Sequence, residues 1–71
     1  MKKPTRLKKE VHARLRQMGK TATILSEDGR YTLQTWQVRL ENPMTMTIAD
    51  CDYLANFLEL SFETIIEWCY N

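Results

Sequence analysis

Seventy-one residues with 44% hydrophobic and 27% charged side chains make a globular rather than a disordered chain, sized for one domain with a thin core. The net charge of +1 conceals a separation: residues 1–20 carry eight basic side chains against Glu10, or +7, whereas residues 44–71 carry five carboxylates and no Lys or Arg, or −5. No apolar run approaches the roughly 18 residues of a membrane span, and the basic N-terminus lacks the apolar stretch of a signal peptide.

Taken in chain order, Leu7, Val11, Leu15 and Met18 recur at i, i+4, i+8 and i+11, which predicts a helix with one apolar face. Thr5 after Pro4 is its expected N-cap, and Gly19 its expected end. Lys8, Lys9, Arg14 and Arg16 fall on the other faces and read as solvated, and His12 as an ordinary helix residue.

Residues 21–42 admit two readings. Asp28-Gly29 between segments rich in Thr, Ile, Tyr, Trp and Val is a hairpin signal. Yet Tyr31 and Leu33 fall in one strand phase while Trp36, Val38 and Leu40 fall in the other. As a helix, Leu33, Trp36 and Leu40 share one face and Gln34, Gln37 and Glu41 another, with Thr32 as cap and Gly29 ending a short helix before it. Propensity favours the hairpin and periodicity favours two helices.

The last third predicts two more helices. Thr47-Ile-Ala-Asp50 has capping-box form, and Ile48, Cys51, Leu54, Ala55 and Leu58 follow at helical spacing. After a turn at Glu59-Leu60, Ser61 is a good N-cap with Glu63 in the first turn, and Phe62, Ile65, Ile66 and Cys69 form an apolar face with Trp68 at its edge. Cys51 and Cys69 lie eighteen positions apart with no CxxC and one histidine in the chain, so they read as two buried thiols. Neither a metal site nor a nucleophile–base–orienter set is legible, and the expectation is a protein that is not an enzyme and uses no cofactor.

This order of features resembles the helix-turn-helix family of phage Cro proteins and lambda-type repressors. The run from Glu41-Asn42-Pro43 to Trp68 resembles the end of that family's recognition helix, the connecting loop and its last two helices, with Leu54-Ala55-Asn56-Phe57-Leu58 at the apolar-Ala-x-x-Leu core. Upstream, "RLRQMGKTATILSEDG" is similar to the end of its first helix and a short second helix, and "TLQTWQVRLEN" to its recognition helix. The chain departs from the pattern in Leu25-Ser26, where Leu-Ala is usual, and in Glu59, where Gly is frequent. The resemblance implies an all-α single domain over residues 1–71, about five short helices with a helix-turn-helix. The alternative fold is α+β, a helix, a β-hairpin and two helices.

A rival placement makes Ser61–Trp68 the recognition helix, but Glu63 and Glu67 with no cation would repel the phosphates lining a groove. Residues 32–41 offer Gln34, Thr35, Gln37 and Arg39, and Gln can pair bidentately with adenine and Arg with guanine. The expected function is therefore a sequence-specific DNA-binding regulator, a small Cro-like repressor in a bacterial cytoplasm on the nucleoid. Thr32, Gln34, Thr35, Gln37 and Arg39 face or border the major groove, and Lys20, Thr21 and Arg30 take phosphates. Lys2, Lys3 and Arg6 form either a basic arm along the backbone or into the minor groove, or a disordered solubilising tail. The resemblance further implies a homodimer on a pseudo-palindromic double-stranded operator, its recognition helices about 34 Å apart, with Phe62, Trp68 and Tyr70 at the dimer surface and no small-molecule ligand or membrane. The competing reading is a protein-interaction module, a phage accessory or antitoxin-like binder, that uses the acidic C-terminal helices.

Overall fold

The computed structural model describes residues 5–27 and 31–70. Four α-helices run in the order α1 (Arg6–Gln17), α2 (Leu33–Glu41), α3 (Ile48–Leu58) and α4 (Phe62–Tyr70). Two 3-10 helices, Ala22–Ser26 and Pro43–Thr45, flank α2, and no strand occurs among the described residues. The fold is all-α, so the hairpin alternative is not adopted. The short helix expected before residue 29 is a single 3-10 stretch rather than an α-helix, and Gly29, its expected end, lies outside the described residues.

Each helix starts where a side-chain oxygen meets an orphan backbone N–H. Thr5 Oγ1 accepts from Lys8 N at 3.1 Å, Thr32 Oγ1 from Thr35 N at 3.2 Å, and Ser61 Oγ from Thr64 N at 3.2 Å. Thr47 and Asp50 form a reciprocal capping box, with Asp50 N donating to Thr47 Oγ1 at 3.1 Å and Thr47 N to Asp50 Oδ2 at 3.2 Å. The Thr5 hydroxyl also donates to Leu40 O at 2.6 Å, joining the start of α1 to the end of α2.

Two helices end in a left-handed residue. Gly19 sits at φ +73°, and Lys20 N returns to Leu15 O at 2.9 Å. At the end of α3 the same geometry falls on Glu59, at φ 59°, with Leu60 N returning to Ala55 O at 2.8 Å. A Cβ disfavours that backbone, so the turn forms because α3 and α4 pack against each other on both sides of it.

The core draws on every helix: Leu7, Val11 and Leu15 of α1, Trp36 and Leu40 of α2, Cys51, Leu54, Ala55 and Leu58 of α3, Ile65 of α4, and Leu25 from the 3-10 stretch. Ile48, expected on this face, is 77% exposed, whereas Asp50 and Cys51 of the same turn are buried, so the covered side of the helix runs past Ile48. Phe62, Ile66, Trp68 and Cys69 are half-buried against the core, so the second thiol is less enclosed than expected.

Cys51 of α3 and Cys69 of α4 are free thiols, each raising or modulating the other's ionisation across the α3–α4 packing. Burial pushes the Cys51 thiol up, and pushes Cys69 up to about 12, helped there by Cys51. A raised folded pKa gives stability that is complete below the unfolded value of 9.0 and is lost as pH rises toward 12. Thermal unfolding of the wild type should therefore fall faster above pH 9 than that of Cys69→Ala, and parallel profiles would remove the thiol from the account. Glu59→Gly should raise stability by about 0.5–1 kcal/mol in urea, the relief of left-handed strain less the added entropy of the unfolded chain.

Candidate nucleic-acid interface

What α2 presents outward is set by what holds its inward side. Trp36, fully buried, stacks on Tyr53 of α3 at 5.4 Å between ring centroids and meets the edge of Tyr31 at 5.2 Å. Tyr53 in turn stacks on Phe57 at 5.9 Å. A cation closes each end of this ladder, Arg39 over Tyr31 at 4.7 Å and Lys20 over Phe57 at 5.5 Å.

A buried charge lies beside the ladder. Asp50 is the sole fully buried charged residue among those described. Its Oδ1 accepts from Tyr31 Oη at 2.9 Å, and its Oδ2 meets Arg39 Nη1 at 3.2 Å as well as Thr47 N. Arg39 Nη1 also donates to Thr45 O. One carboxylate thus caps α3, anchors the residue before α2, and holds the last turn of α2. A carboxylate out of water requires such partners, since an unpaired buried charge costs several kcal/mol.

The consequence for the expected groove-facing residues is direct. Arg39 is drawn back to Asp50 and the 43–45 turn, and its guanidinium is committed inside the fold. Gln34 and Gln37 are exposed, and no hydrogen bond holds either amide among the described residues. Thr32 is exposed and Thr35 half-buried, with their hydroxyls 3.0 Å apart in the cap. Val38, 49% exposed between Gln34 and the end of the helix, completes the outward face. In sequence it reads only in a strand phase with Trp36 and Leu40, and its phase on a helix relative to those two is the signal that places it outside.

The other expected contacts divide. Lys20 and Thr21 are exposed, but the five-residue 3-10 stretch after them is not the α-helix N-terminus expected to hold a phosphate; Lys20 lies over Phe57 and Thr21 Oγ1 meets Thr23 Oγ1 at 2.7 Å. Arg30, Lys2 and Lys3 lie outside the described residues. Arg6 belongs to α1 rather than to an arm and pairs with Glu67 at 3.7 Å. Of the expected dimer residues, Tyr70 is 63% exposed, while Phe62 and Trp68 are half-buried against the core.

Much of the N-terminal charge is met internally. Lys8 Nζ lies 2.6 Å from Glu41 Oε1, and Arg14 Nε donates to Leu58 O at 2.9 Å, capping the end of α3. Lys9 and Arg16 have no carboxylate partner among the described residues. The Lys8–Glu41 contact joins α1 to the end of the Gln34–Gln37–Glu41 flank of α2.

No protein-family model, curated protein or solved structure matches this chain.

Asp50→Ala should cost about 3 kcal/mol by leaving the Arg39 charge and the α3 cap without their shared acceptor, whereas Tyr31→Phe should cost about 1 kcal/mol. Urea midpoints measure both; equal effects would show that the carboxylate is not the common anchor.

Proposed function

We propose that the chain is a sequence-specific DNA-binding regulator of the Cro-like helix-turn-helix kind, working in the bacterial cytoplasm as a homodimer on a pseudo-palindromic operator. The single observation that carries this reading is the outward face of α2. Gln34, Gln37 and Val38 stand exposed on a helix whose other side is fixed by Trp36, Leu40 and Arg39. A side-chain amide supplies a donor and an acceptor at the spacing of the adenine major-groove edge, and an aliphatic side chain suits the thymine methyl. Rigid placement of α2 fixes the backbone from which both amides extend, so a contact costs side-chain entropy alone. Among the described residues no helix is long and apolar enough to cross a membrane, which is compatible with this setting.

The protein-interaction reading has one observation in its favour. Met44 and Ile48, at 79% and 77% exposed, are uncommonly bare for apolar side chains and lie on the α2–α3 connection and the start of α3. Affinity for duplex DNA measured against salt separates the two readings.

On a preferred duplex, Gln34→Ala or Gln37→Ala should lose about 1–3 kcal/mol of discrimination over random duplex. Lys20→Ala should weaken both alike. Val38→Ala should erase the difference between thymine and uracil at one position of the site while leaving binding to random duplex unchanged. Unchanged discrimination in all three α2 variants would remove the face from the interface.

A further inference from the structure

The flank of α1 that borders α2 holds a surface groove of about 300 Å³ among Lys8, Lys9, His12 and Arg16. Lys9 and Arg16 stand two helical turns apart on the same side, with His12 between them. Lys8 is engaged by Glu41, but Lys9 and Arg16 leave two positive charges beside the groove with no carboxylate to meet them among the described residues. The imidazole adds a third unusual feature. His12 Nε2 is shut away from solvent and has no hydrogen-bond partner.

Solvation alone accounts poorly for this arrangement. Two exposed cations can stay hydrated, but they gain nothing from the groove between them, and the imidazole Nε2 is enclosed there without a partner. An anion in the groove would meet both charges at once. The neighbouring surface identifies which anion, because Lys8–Glu41 ties this flank to the edge of α2 bearing Gln34 and Gln37. A lipid headgroup would have no use for that amide edge, whereas a nucleic acid offers phosphates and base edges together.

We propose that the groove of Lys8, Lys9, His12 and Arg16 is a phosphate-binding site, occupied by a backbone phosphodiester of the nucleic acid whose bases α2 reads. The occupant rests on the reading given under Proposed function; the anion site rests on α1 alone. Lys9 and Arg16 supply the charge, with Arg16 able to give two parallel N–H donors to phosphate oxygens. Lys8, held by Glu41, fixes the groove's wall.

His12 reports occupancy. Burial first, then Lys8 and Arg16, hold its pKa below the ordinary 6.5, so the empty groove keeps the ring neutral near neutral pH. The charged groups around it are Lys8, Lys9 and Arg16 on its own helix and Glu41 on α2. A bound phosphate offsets those cations and favours the imidazolium, so binding takes up a proton.

His12 is the only histidine in the chain, so its ring proton can be titrated by NMR without assignment ambiguity. The full chain is titrated alone, with tripolyphosphate, with a two-turn DNA duplex and with phosphatidylglycerol vesicles. The expected result is an upward shift of about one unit with tripolyphosphate and with duplex. Lys9→Ala/Arg16→Ala, two exposed positions, should abolish the shift with an unaltered circular dichroism spectrum, and should lower the salt slope of duplex binding by about 2. An unmoved His12 titration with tripolyphosphate, or a shift retained in the double variant, overturns the site. A shift that vesicles reproduce in full overturns the nucleic-acid occupant. If tripolyphosphate moves His12 while no duplex is preferred over another, the site stands and the sequence-reading role of α2 falls. If Gln34 and Gln37 govern duplex preference while His12 stays still, the reverse holds.

Discussion

Asp50 is the constraint on which the rest of the structure depends. Its buried carboxylate completes the cap of α3, receives the Tyr31 hydroxyl and holds Arg39, so three segments meet on one side chain. A chain this small has little apolar area to spare for fixing a nine-residue helix. Packing supplies attraction without register, whereas a buried charge accepts few arrangements because each alternative strands it. The aromatic ladder from Tyr31 through Trp36 to Tyr53 and Phe57 adds area and planes on the same side of α2. Together they make the helix a rigid support whose outer face is free to be polar.

The same constraint redistributes charge. The chain has a basic start and an acidic end, and folding joins them through Arg6 and Glu67, while residues between them pair with each, Glu41 with Lys8 and Arg39 with Asp50. The first two pairs have exposed members and contribute little to stability. Their effect is spatial, since they offset two cations, Arg6 and Lys8, and leave Lys9 and Arg16 on one flank of α1. The carboxylates of the acidic third lie in α3, in α4 and in the turn between them.

Local rules were legible in the sequence because their partners lie three or four residues apart. Thr5, Thr32, Thr47 with Asp50, and Ser61 cap helices as their spacing predicts, and Gly19 ends α1 in the expected left-handed turn. Residues 21–42 were ambiguous because Thr, Tyr, Trp and Val suit a strand; the contacts that decide for α2, Trp36 on Tyr53 and Arg39 on Asp50, join residues more than ten positions apart. Asp50 was legible as a cap but not as a buried ion-pair partner. The chemistry of Arg39 points to a groove, yet its guanidinium lies on Asp50 and Thr45 O, while Val38, apolar by type, lies on the exposed face. Residue type suggests a partner, and only the fold says which partner is in reach. Ile48 fits the apolar spacing of α3 yet lies outside the core, because periodicity gives a broad face without saying where its edge falls, and Asp50 and Cys51 rather than Ile48 are the covered residues of the first turn.

The central claim, that α2 is held rigidly so that its outer face can read a duplex, is tested most directly by selecting bound sequences from a random pool of double-stranded DNA with the full chain. The account predicts an enriched motif containing A·T pairs suited to Gln34, Gln37 and Val38, repeated as two inverted half-sites about one helical turn apart. A recovered pool indistinguishable in sequence from the input would contradict it.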